Sequence, residues 1–273
     1  MENMPKAIEE KDTQKISLEK FILAKTKKQD ITRYQSILYK IFPENREAKP
    51  LGSDPGKVPE NSELCIHFKD LRDEKFVKSF KHLKFFDINQ IWFHYFDSKN
   101  RHFVDFLESS FPNKTNYLCF KSRAKMDLNR SNYLSPLLRL SSKVTKEVSF
   151  YRFCIGFNQL KRLVAAYRHA RVLVLWDCSL SIPSVPDFSK ALTNCQIQDL
   201  DLIGSGSSNR SDWENSFGQF KNLIQGLASS PNLRSSLKKV DILRCGITQS
   251  AAKQIFEENQ LGQVKIIGGK KFR

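Results

Sequence analysis

Several kinds of chemistry are missing from this sequence. Its six cysteines contain no C-x-x-C pair, so there is no paired-thiolate framework for a zinc finger or a redox motif. Cys65-Ile-His67 supplies two ligand types without two more in reach, and no metal is expected. No apolar run approaches the 18 or so residues that a membrane span requires; the densest stretch, Val172-Leu-Val-Leu-Trp176, is strand-sized. The opening segment, Met1 to Lys11, carries acids early and has no apolar h-region, which predicts an intracellular protein, cytoplasmic or nuclear, with silent Asn-x-Ser/Thr sites at Asn113, Asn129 and Asn209. Gly204-Ser-Gly206-Ser-Ser-Asn209 follows a strand pattern but lacks both a third spaced glycine and a G-K-[ST] ending, so it reads as an inserted loop rather than a phosphate cradle. With no nucleophile and base pair in view, the expectation is a non-enzyme with no cofactor and no small-molecule substrate.

What is present is enough for a core: 40% of the 273 residues are hydrophobic and 11% aromatic. The net charge of +16 is distributed unevenly. Residues 113–171 hold 13 basic side chains against only Asp127 and Glu147, while the remainder is close to balanced.

A strand-and-helix period runs through the chain. Leu173-Val-Leu175-Trp-Asp-Cys178-Ser-Leu180 and Val240-Asp-Ile242-Leu-Arg-Cys245-Gly-Ile247 share one pattern, L-x-L-x-x-C-x-L with aliphatic variation, and Leu237 extends the second. Weaker copies begin at Leu64, Leu83, Leu118, Val148, Leu200 and Val264. Between them fall helical stripes: Phe103, Phe106 and Leu107; Leu160, Leu163, Val164 and Tyr167; Phe217, Phe220, Leu223, Ile224 and Leu227; Ala251, Ala252, Ile255 and Phe256. This pattern resembles the leucine-rich repeat of the ribonuclease-inhibitor-like type, L-x-x-L-x-L-x-x-N/C-x-L. The resemblance implies an α/β solenoid over residues 61–273, of about seven repeats, with parallel strands on a concave face and helices on the convex one. Residues 1–42 read as a helical cap with a disordered start, and 43–60 as a Pro/Gly linker.

Side chains alternate along a strand, so residues between and beside the anchors point away from the core and form ladders across parallel strands. The ladder just after the anchors reads His67, Phe86, Lys121, Tyr151, Trp176, Ile203, Leu243 and Ile267, largely apolar where solvent is expected, and Phe86, Tyr151, Trp176, Ile203 and Leu243 are its candidate binding residues. It is flanked by Asp199, Asp201 and Asp241. The resemblance makes this concave face the expected binding surface for a protein partner, in the manner of an adaptor or scaffold subunit. The basic excess lies elsewhere, in loops and helices, with Arg123, Lys125, Arg130, Arg139, Lys161, Arg162, Arg168 and Arg171 as its members. That patch carries the alternative function: binding of RNA or another anionic surface.

Overall fold

A computed structural model of the chain describes residues 63–67, 88–96, 102–109, 111–128, 134–188, 194–205 and 213–269. The expected cap and linker (1–60), Phe86 and Arg130 lie outside them. The chain divides into two compact units, one ending at Leu118 and the other running from Cys119 to the carboxyl end, with Phe96–Ser98 also assigned to the second. The class is α/β with parallel strands. No described helix is long and apolar enough to cross a membrane.

In the first unit, β1 (Glu63–His67) pairs in parallel with β2 (Ile88–Phe96), Leu64 opposite Ile91. This corrects the expected register: the strand beside Leu64 is built on Ile91-x-Phe93, whereas Leu83-x-Phe85 lies outside the described residues. Helix α1 (His102–Ser109) buries Phe103 and Phe106 against Phe93, with ring centroids 5.3 and 6.0 Å away in edge-to-face arrangements. The start of β3 (Thr115–Asp127) is tied to β2 by the Thr115 hydroxyl, which donates to Asn89 O at 3.2 Å, and by an Asn116–Asn89 amide pair at 2.8 Å.

The second unit holds the rest of β3, then α2 (Leu134–Arg139), β4 (Val144–Gly156), α3 (Phe157–Ala166), β5 (Val172–Trp176), β6 (Ser179–Ser181), β7 (Asp199–Asp201), α4 (Trp213–Ala228), α5 (Pro231–Ser236), β8 (Lys239–Asp241), α6 (Gln249–Glu258) and β9 (Lys265–Ile267). Strand order is β4-β5-β7-β8-β9, with β6 extending alongside β4. Val148, Leu173, Leu200 and Val240 stand side by side, as the spacing predicts. The last register differs: Val240 faces Ile266, not Val264, a slip of two residues that keeps the buried face unchanged. A helix after every strand was also expected. Between β5 and β7 the described residues contain none; β6 and a segment burying Ile182, Pro186 and Phe188 take that place.

The anchors are almost wholly buried against Leu160, Leu163 and Val164 of α3 and Leu223, Ile224 and Leu227 of α4. Tyr167, just past α3, is fully buried because its hydroxyl donates to Leu137 O at 2.6 Å. Helix starts are capped where the sequence offers a hydroxyl: Ser230 accepts from Leu233 N ahead of Pro231, and Thr248 accepts from Ala251 N at 3.1 Å. Gly226 of α4 is set by close approach, since a Cβ there would lie 2.4 Å from Pro186 Cγ and 2.5 Å from Pro186 O.

The same backbone turn recurs at β4, β5, β7 and β8. The residue four beyond the anchor turns into the left-handed region: Arg152 at φ 63°, Asp177 at 51°, Gly204 at 65° and Arg244 at 62°. The next residue swings inward, and in three of the four it carries a hydrogen-bond donor aimed at the preceding strand. Cys178 Sγ donates to Phe150 O at 3.3 Å, Ser205 Oγ to Leu175 O at 2.6 Å, and Cys245 Sγ to Leu202 O at 2.6 Å. Gly204-Ser205 is therefore part of this recurring turn rather than of an inserted loop, and residues 206–212 lie outside the described residues.

Candidate functional site

The apolar ladder forms on the exit side of β4, β5, β7 and β8. Tyr151 lies opposite Trp176 in register, and the backbone ladder continues past the strand ends through Asp177 N to Ile203 O (2.8 Å) and Gly204 N to Leu243 O (2.7 Å). The Tyr151 and Trp176 rings are stacked, with centroids 5.5 Å apart and planes 17° from parallel. Trp176 is 39% exposed and Leu243 44%, while Tyr151 and Ile203 are half-buried. Burial pushes the Tyr151 phenol up to about 12, with Cys119, Glu147 and Asp201 adding to it, so the ring stays neutral. Phe86, the fifth member expected, is outside the described residues. Cys119, Ser149 and Val174, expected to face solvent between the anchors, are buried instead; Ser149 is satisfied by donating to Glu147 Oε1 at 2.6 Å.

The acidic group is present, but it is not a bare one. Lys239 lies between two of its members, 3.4 Å from Asp199 Oδ2 and 3.3 Å from Asp201 Oδ1. Burial lowers the Lys239 pKa, but Asp201 and Asp199 outweigh it and hold the ammonium above its ordinary value. Asp201 is raised, first by burial, against the pull of Lys239. Asp241 is committed locally, accepting from Leu243 N at 2.9 Å and so fixing the turn that carries Leu243 outward. Three carboxylates and one ammonium leave a local charge of about −2 beneath the apolar row. No group of three or more His, Cys, Asp or Glu able to hold a metal occurs among the described residues.

The basic residues read as one patch are dispersed over three places. Arg123 and Lys125 sit late in β3, where Lys125 reaches Ser179 Oγ at 2.9 Å and Asp177 at 4.0 Å; Arg152 also pairs with Asp177, at 3.2 Å. Lys161 and Arg162 lie on α3, the Lys161 ammonium 5.8 Å from the Phe157 ring centre. Arg139 ends α2, and Arg168 and Arg171 occupy the loop that leads into β5.

Other openings offer little chemistry. A groove of about 380 Å³ beside α6 and β9 is lined by Gln249, Ser250, Phe256, Val264 and Lys253, and the lysine pairs with Glu257 at 3.6 Å. Burial pushes the Cys178 and Cys245 thiols up to about 12, which removes them as nucleophiles near neutrality. Compared with known proteins, the chain matches no family model and no curated protein.

Proposed function

We propose that the protein is a leucine-rich-repeat-type interaction module without catalytic activity, an adaptor or structural subunit inside the cell, which holds a protein partner on the row Tyr151, Trp176, Ile203 and Leu243. The observation that carries this reading is the exposed apolar line itself. Trp176 and Leu243 are two large hydrophobic side chains more than a third exposed on one row, and the stacked Tyr151 holds the indole in place. The repeat reading is supported by the turn that recurs at the same offset from four anchors and by donors at Cys178, Ser205 and Cys245, where the repeat pattern calls for Asn or Cys. Such repeats bury their cores against neighbours and leave one face of the sheet for recognition.

The experiment is a comparative affinity capture. Trp176→Asp with Leu243→Asp changes two exposed positions and leaves the core intact, while Arg162→Glu serves as a control on α3. Proteins retained by the wild type and the control but lost by the double variant are the expected result. An identical captured set for all three would refute the assignment.

A further inference from the structure

We propose that the side of the second unit on which β4, β5, β7 and β8 begin binds the phosphodiester chain of single-stranded RNA, independently of the apolar row. Two residues before the anchors stand Lys146, Arg171, Gln198 and Lys238. Their backbones form one continuous ladder: Arg171 N donates to Lys146 O at 2.8 Å, Gln198 N to Arg171 O at 2.8 Å, and Lys238 N to Gln198 O at 2.7 Å. Parallel neighbours in such a ladder are about 4.8 Å apart, so the side chains form a file one residue wide. Lys146, Arg171 and Lys238 are exposed, Gln198 is half-buried, and Arg168 and His169 adjoin Arg171 in the same loop.

Among the described residues that lead into these strands, the charge has one sign. The segments 134–146, 166–171, 194–198 and 231–238, which lead into these strands, contain no carboxylate. The first acids come directly after Lys146 and Gln198, and both are engaged: Glu147 accepts from Ser149, and Asp199 faces Lys239. The basic excess that the sequence confined to residues 113–171 is thus continued by Lys238, from a later strand, in a line the fold creates.

A row of cations at spacings of roughly 5–10 Å suits a polymer carrying one anion per unit, and arginine adds planar donors for phosphate oxygens. A membrane surface fits less well. Interfacial binding needs apolar side chains among the cations, yet among the described residues the exposed large hydrophobics are Trp176, at the far end of β5, and Val185 and Leu243, beyond the ends of β6 and β8. One file of cations also favours a single strand over a duplex, whose phosphates form two rows.

The test is fluorescence anisotropy of a labelled 20-nucleotide oligouridine titrated with the full chain. Four cations, Lys146, Arg168, Arg171 and Lys238, predict a salt slope of about −2.8 and hence an affinity loss of about 50-fold between 50 and 200 mM salt. Arg171→Gln with Lys238→Gln leaves two contacts, and the loss should shrink to about 7-fold, with weaker binding at 50 mM. Both positions are exposed, and an unchanged unfolding midpoint verifies the fold of the variant. Arg162→Glu on α3 should bind as the wild type does. The proposal is overturned by no binding at 50 mM salt, by an unchanged slope in the double variant, or by an equal loss in the α3 control. Equal or tighter binding of a glutamate 20-mer or of anionic phospholipid vesicles would also overturn it.

Discussion

Replacing Ser205 by alanine removes a hydroxyl that serves two backbone groups at once. Its Oγ donates to Leu175 O at 2.6 Å and accepts from Cys178 N at 3.1 Å, and the residue is only 4% exposed. In the alanine variant the carbonyl and the amide lose these partners in a site that water does not reach. A buried polar group left unpaired costs about 1–3 kcal/mol, so the two together cost about 3 kcal/mol. For a urea dependence of about 2 kcal/mol per molar, the unfolding midpoint falls by about 1.5 M. Ser205→Cys restores a donor of the kind used at Cys178 and Cys245, and should lose less than about 1 kcal/mol. Urea unfolding followed by tryptophan fluorescence and circular dichroism measures both. An alanine variant within about 0.5 kcal/mol of the wild type, or a cysteine variant no better than alanine, would refute the view that this position is a repeating structural ladder.

Glycine substitutions in α4 should have opposite signs: Gly226→Ala, whose Cβ would strike Pro186 at 2.4 Å, destabilises by about 1–3 kcal/mol, whereas Gly218→Ala, with nothing within 4 Å, stabilises by up to about 1 kcal/mol. The same urea titration separates them. Iodoacetamide at pH 8 should spare Cys178 and Cys245 in the folded protein and label both in denaturant, as peptide mass mapping will show. Their folded pKa values are raised above the ordinary 9.0, so the stability they contribute is fully present below pH 9 and is lost as pH rises from 9 towards 12. Wild-type stability should therefore fall more between pH 8 and 10.5 than that of the Cys178→Ser, Cys245→Ser variant.

The parts of the fold legible in the sequence were those with two constraints at once. Leu173 and Val240 announce their strands because an alternating pair is followed at a fixed distance by Cys178 and Cys245, and the helix stripe at Leu160, Leu163 and Val164 is equally unambiguous. Where alternation stood alone, register was lost. Leu83-x-Phe85 and Ile91-x-Phe93 both alternate, and a slip of two residues at Val264 and Ile266 leaves the buried face unchanged, so periodicity cannot choose between them. Ser205 escaped notice because a hydroxyl fills the place of a thiol and two glycines around it suggest a loop. At the candidate site, Trp176 and Leu243 follow from strand alternation, whereas the Lys239 bridge joins charges from two strands. Likewise the basic residues were grouped by their interval along the chain, which excluded Lys238 and included Lys125, whose ammonium is turned towards Asp177.

The hydrogen bonds of Cys178, Ser205 and Cys245 each reach back only one strand, to Phe150, Leu175 and Leu202. Nothing in that ladder spans two strands, so cooperativity is passed from neighbour to neighbour, and opening becomes a matter of position along the array. Among the described strands β9 pairs with β8 alone, across three residues, whereas β5 lies between β4 and β7. Amide exchange in the second unit should therefore be graded, fastest at Lys265–Ile267 and slowest around Leu173–Leu175. The apolar row crosses that gradient, with Leu243 on its looser side and the Tyr151–Trp176 stack on its firmer one. A partner would then meet a rigid aromatic seat first and order the distal contact as it binds.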